Sequence, residues 1–265
     1  MTEAPLIISS HDDVDWICLN RPEVSNALNG TLTDSLYTYF NELRNNKSVR
    51  VVVLHAKGRN FCAGLDLKAK DFDVSERTVA EIWSIQRRIG DIYRAMRRCP
   101  QPILSLIQGA AVGGGFSLAL ASDIRIAADS SRMSAAYLKI GLTGADMGSS
   151  YFLPRLVGVS IASELLLTGR FINARRALEC GLVSEVVGEE DLELAAQKIC
   201  NELLQSTRMG LNLTKEALNF GIDAPSLEAA MAQEDRHQVM LSMTEDALEA
   251  ISAFNEKRSP KYKDK

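Results

Sequence analysis

Several things are missing from this sequence, and each absence excludes something. No apolar run reaches ~18 residues, so no membrane-spanning helix is expected. The opening stretch Met1-Thr2-Glu3-Ala4-Pro5 has neither a basic nor an apolar segment, so no signal peptide is expected and a cytoplasmic location is. The five cysteines (Cys18, Cys62, Cys99, Cys180 and Cys200) are scattered and form no CxxC or His/Cys spacing. They are expected to be reduced thiols, without a metal site. No GxxxxGK[ST] occurs, which excludes the usual phosphate loop. The GxGxxG spacing of dinucleotide binders is absent too. Net charge is -4, so nothing global recruits nucleic acid or an anionic membrane. Basic residues gather only near the end, from Lys257-Arg258 through Lys261, Lys263 and Lys265.

What is present is an ordinary globular balance. The chain has 265 residues, 46% apolar and 24% charged, enough for one large domain or one domain with an appendage. Leu6 to Ser10 and Val14 to Leu19 read as a hairpin ended by Asn20-Arg21-Pro22. Leu32, Leu36, Phe40 and Leu43 mark a helix. The β-branched run from Arg50 to His55 marks a buried strand, closed by the turn Lys57 to Asn60. Residues 68–75 read as a mobile loop. Ile82, Ile85, Ile89, Ile92 and Met96 then mark an amphipathic helix ending near Pro100. Pro102 to Ile107 and Asp123 to Ala127 are further strands, and Gly114 to Ala121 is a helix between them. From Ser160 onward the pattern is almost wholly helical, with a short helix from Ala174 to Gly181 ended by glycine. Such alternation argues for an α/β fold of stacked layers.

Two glycine-containing turns carry the chemistry. Phe61-Cys62-Ala63-Gly64-Leu65-Asp66 follows a strand and turn. Gln108 to Phe116, with Gly113-Gly114-Gly115, lies between a strand and a helix. A helix N-terminus offers unpaired N–H groups and partial positive charge, and glycines let a ligand approach the backbone. The arrangement suits an anion; tight helix–sheet contact is the competing explanation.

Along nearly its whole length the chain resembles the crotonase, or enoyl-CoA hydratase/isomerase, superfamily. The resemblance rests on Leu19-Asn20-Arg21-Pro22 with Asn26-Ala27-Leu28, Phe61 to Leu67, and Gly109 to Ser117 with Ser122 to Ala127. Leu153 to Gly158, Leu167 to Arg170, Gly181 to Ser184 and Phe254 to Arg258 continue it. It implies a ββα spiral core over residues 1–195 and a helical C-terminal trimerisation region over 196–265. It also implies homotrimers or dimers of trimers. The implied ligand is an acyl-CoA thioester, with no cofactor apart from the CoA carried by the substrate. The implied oxyanion hole is formed by the N–H groups of Ala63 and Gly114, which would stabilise a thioester enolate. The CoA grip would include Arg21, Ala63, Gly64, Leu65 and Asp66, with Phe254 and Lys257 supplied by a neighbouring subunit.

Ser117 and Tyr137 stand where typical hydratases of this superfamily carry two glutamates. Neither replaces a carboxylate near neutral pH. Ser117 reads as small, leaving room for an acyl group, and Tyr137 as lining the acyl pocket or donating a hydrogen bond there. Asp146, in Ile140 to Gly148, is the remaining candidate, since dienoyl-CoA isomerases and 4-chlorobenzoyl-CoA dehalogenases carry an aspartate close to this place. Such a carboxylate shuttles a proton or attacks an electrophilic carbon; its competing role is to cap the next helix. Asp66 reads as organising the oxyanion turn, and His55 as a core histidine. The expected function is therefore an acyl-CoA enzyme of the hydratase/isomerase type. The alternatives are decarboxylase- or dehalogenase-type enolate chemistry, or a non-catalytic CoA- or RNA-binding member.

Overall fold

The computed structural model describes residues 3–73 and 75–264. Strands β1 (Leu6–His11) and β2 (Val14–Leu19) form the expected hairpin. Its two turn residues, Asp12 and Asp13, have φ of 51° and 63°, the conformation that matches the twist of tightly joined strands. Helix α1 (Gly30–Leu43) begins where Asn29 accepts the Leu32 N–H. Strand β3 (Val51–Ala56) leads to α2 (Val79–Arg98), which opens on a Thr78–Glu81 capping box. Ile89, Ile92, Tyr93 and Met96 are its buried stripe, as the spacing predicts. Then come β4 (Ile103–Ile107), β5 (Ala110–Val112), the wholly buried α3 (Gly114–Ala121), β6 (Ile124–Ala128) and β7 (Arg132–Ser134). Helices α4 (Ser149–Val157) and α5 (Val159–Thr168) precede β8 (Ile172–Asn173), α6 (Ala174–Glu179) and β9 (Glu185–Val187). The chain ends in α7 (Leu192–Leu204), α8 (Arg208–Gly221), α9 (Leu227–Ser242) and α10 (Glu245–Glu256).

One sheet has the order β1-β2-β3-β4-β6-β9, and all its pairings except β1–β2 are parallel. A smaller sheet has the order β5-β7-β8, and Cys62 joins its edge through a parallel bridge to Ala111. The chain thus repeats a turn: a strand in the first sheet, a short pairing in the second, then a helix. These are the expected ββα turns. Val51, Val53, Leu104, Leu106 and Ile126 face α7 across one side of the large sheet, while Val52, Leu54, Ile103 and Ile107 face the main core. Burial on both faces explains why these strands are continuously apolar.

One expectation is corrected. The chain beyond Ser160 is not almost wholly helical, because β8 and β9 complete the two sheets. The expected boundary after residue 195 falls inside α7, whose Ala195, Ala196 and Cys200 pack on the sheet together. Helix α7 ends at Leu204. Beyond it, α8 is moored by buried Lys215, whose ammonium lies 2.7 Å from Asp123 and 2.8 Å from the Gln101 carbonyl. Helix α9 buries no residue. Within the 68–75 loop, Lys70–Phe72 forms one 3-10 turn, and Val74 lies outside the described residues. Met1, Thr2 and Lys265 do as well. Among the described residues, no helix is long and apolar enough to cross a membrane.

Candidate active site

Ser25 and Asn26 both take left-handed backbone, with φ of 54°. Asn26 is fully buried, and its amide donates to the Lys57 and Asn60 carbonyls while its oxygen accepts the Arg21 N–H. This clamp holds residues 25–28 alongside residues 57–66. The Ala63 N–H then donates to the Ser25 carbonyl at 2.9 Å. Leu28 pairs with Leu65 as a parallel bridge: the Leu28 N–H donates to Gly64 O, and the Asp66 N–H to Leu28 O. In a parallel pairing the residue between those two partners turns its own N–H the opposite way. The Leu65 N–H therefore points away from Leu28, and it has no acceptor among the described residues. The expected oxyanion donor at Ala63 is corrected by this geometry. Its hydrogen is already spent on Ser25 O, whereas the Leu65 N–H, like that of Gly64, has no backbone acceptor among the described residues.

The second turn brings Gly114 beside it. Gly113, with φ of 52°, donates its N–H to Ser134 O, and α3 starts at the next residue. The Gly114 N–H, in the helix's first turn, has no acceptor among the described residues. A Cβ at Gly64 would stand 2.7 Å from Val112 O and 3.4 Å from Gly114 N. One at Gly115 would stand 2.2 Å from Cys62 O. Only glycine lets the two backbones meet this closely.

Tyr93 of α2 and Met147 close the site from the side. The Tyr93 hydroxyl lies 3.0 Å from both Gly114 O and Met147 Sδ. Asp146 precedes Met147 in the chain. Its Oδ1 accepts from Gln86 Nε2 at 2.6 Å and from the Met147 N–H at 2.7 Å. Burial raises the Asp146 pKa above its ordinary value, with the two hydrogen bonds opposing. The capping role does not hold, because α4 is capped by Gly148 without a side-chain bond. Ser117 and Tyr137 bond each other, oxygen to oxygen, at 2.8 Å, both buried. Burial raises the pKa of Tyr137 as well as Tyr93, so neither phenol ionises near neutrality.

Two cavities flank the turns. One of 480 Å³ runs between α2 and residues 146–152, and Asp146 is its only carboxylate among the described residues. It adjoins Gly114 through Tyr93 and Met147. The other, of 520 Å³, includes Arg21, Pro22 and Lys57. It adjoins Leu65 through Arg21, whose guanidinium is 3.0 Å from Asp66 and also donates to the Ala27 carbonyl. Asp66 further accepts the Lys68 N–H, so it ties the turn together. Phe254 and Lys257 sit at the exposed end of α10 and line neither cavity. His55 is half-buried rather than in the core: it stands edge-on to Trp16, and desolvation lowers its pKa. In the basic tail, Arg258 is paired with Glu249 and Glu256.

Gln86 and Tyr93 were absent from the sequence-derived site. Tyr93 lies on the apolar stripe of α2 and reads as core, while Gln86 lies on its polar face and carries no motif.

The family described as enoyl-CoA hydratase/isomerase matches residues 10–265. A Mycobacterium bovis protein named "Probable enoyl-CoA hydratase echA12" is 37% identical over 98% of this chain and 93% of its own. The 1,2-epoxyphenylacetyl-CoA isomerase of Escherichia coli K12 is 32% identical over 93% of each. The crystal structure of an enoyl-CoA hydratase from Bacillus anthracis superposes with a TM-score of 0.92 at 33% identity, covering 98% of this chain and 100% of that one. The fold and site define an enzyme of the crotonase superfamily. The chain belongs to its enoyl-CoA hydratase/isomerase family.

Proposed function

We propose that this enzyme isomerises an enoyl-type acyl-CoA by moving one proton, and does not add water across the double bond. The thioester oxygen would sit against the N–H groups of Leu65 and Gly114, with CoA toward the Arg21 cavity and the acyl group toward the Asp146 cavity. Two fixed donors aimed at a developing enolate contribute without reorganising, each on the order of 3–4 kcal/mol. Asp146 would take the proton from one carbon and return it to another. A base held partly out of water, with its pKa moved toward neutrality, suits that task.

The observation that supports the reading is that, among the described residues, the cavity beside Gly114 is lined by a single carboxylate, fixed by Gln86 and the Met147 N–H. Hydration needs a second group to hold and activate water, and the hydroxyls of Ser117 and Tyr137, which bond each other, are far too weakly basic for that role. That one relative is an acyl-CoA isomerase is in keeping with it. Purified protein should convert a 3-enoyl-CoA to its 2-enoyl isomer and leave crotonyl-CoA unhydrated. Hydration of crotonyl-CoA at a comparable rate would overturn the assignment.

A further inference from the structure

The acyl cavity is bordered by four arginines of α2, namely Arg87, Arg94, Arg97 and Arg98, against the one carboxylate of Asp146. That excess is notable in a chain whose net charge is -4. Among the described residues, the ion pairs of α2 are Arg88–Asp34, Arg94–Asp91 and Arg97–Asp123. Arg97 is thus spent inside the fold. Arg94 is held only by an exposed contact to Asp91 three residues before it, which is a weak restraint. Arg87 has no carboxylate partner among the described residues.

Gly90 sits between Arg87 and Arg94 on the same cavity wall. Glycine is a poor choice for the middle of a long helix. Here a Cβ would stand 3.1 Å from Arg94 Nη1, so the guanidinium lies over the space the glycine leaves. That space is one helical turn from Gln86, which holds Asp146, or ~6 Å along the axis. Positive charge therefore lines the same cavity as the Gln86–Asp146 pair.

Resting on the acyl-CoA reading above, we propose that Arg87 and Arg94 select acyl groups that end in a carboxylate, so that the substrate is the mono-CoA thioester of a short dicarboxylic acid. A guanidinium matches a carboxylate in charge and fork geometry, and a neutral chain end leaves it unanswered.

Binding tests this independently of turnover. Calorimetry would compare glutaryl-CoA with pentanoyl-CoA, matched in carbon number and in CoA. The wild type should bind glutaryl-CoA tighter by roughly tenfold or more, the scale of one charge-assisted contact. The Arg87→Gln/Arg94→Gln double variant should erase that ratio and leave pentanoyl-CoA binding within about threefold. Equal binding by the wild type overturns the proposal, as does a preference that survives in the variant. Equal weakening of both thioesters also overturns it, because the arginines would then grip CoA itself. A changed sedimentation coefficient with the preference intact would make them subunit contacts and overturn it as well. If neither thioester binds, the acyl-CoA reading falls and takes the proposal with it. A glutaryl preference without isomerase turnover would sink only the assigned reaction.

Discussion

Asp146 is asked to be a base while partly buried, and the two demands make one prediction. Its base form exists only above its raised pKa, so kcat/KM should fall as pH drops through a value above that of an exposed aspartate. Asp146→Asn should lower kcat by at least ~100-fold. Its effect on stability has the other sign. A carboxyl whose folded pKa is raised favours the fold in its protonated form, and that contribution is lost as pH rises. Asparagine can still accept from Gln86 and Met147, so the variant should not lower the thermal midpoint at neutral pH. Tyr137→Phe separates lining from catalysis. It strips Ser117 of its 2.8 Å partner and should cost ~1–3 kcal/mol of stability, read by denaturant unfolding, with kcat within severalfold. At this scale Gly114 and Asp146 were legible in the sequence as a glycine turn and a lone acid. Which N–H of the first turn is free was not. That choice depends on Ser25 and Leu28 lying alongside, which the buried Asn26 clamp brings about from 30 or more residues away.

Elements whose apolar pattern is long were readable: β1 to β4, β6 and the stripe of α2. The three-residue strands β5 and β7 were not, because a run that short in a glycine- and serine-containing stretch shows no periodicity. Strands β8 and β9 interrupt a helical pattern for the same reason. Yet β5 is what presses Cys62 against α3. Gly115→Ala should therefore act on the element, not only on one contact. Its Cβ would meet Cys62 O at 2.2 Å, and the two turns would have to part. A loss of about 2–4 kcal/mol is expected from equilibrium unfolding, with activity abolished even under conditions where the fold persists.

For the whole molecule, the C-terminal helices show what one chain leaves undone. Helix α9 buries nothing, and Met243, Leu248, Ile251 and Phe254 are each more than half exposed on or beside α10. A face this apolar is expected to be covered by other copies, as a trimer or a dimer of trimers. Sedimentation should show such an assembly, and Met243→Glu/Leu248→Glu should dissociate it. Whether that assembly shifts a proton or adds water is the central question, and one reaction answers it. An equimolar mixture of a 3-enoyl-CoA and its 2-enoyl isomer would be incubated with the enzyme in water enriched in oxygen-18, and the acyl products would be weighed by mass spectrometry. The account predicts a 2-enoyl thioester without the heavy isotope. A hydroxyacyl thioester carrying it, formed as the main product, would contradict the account.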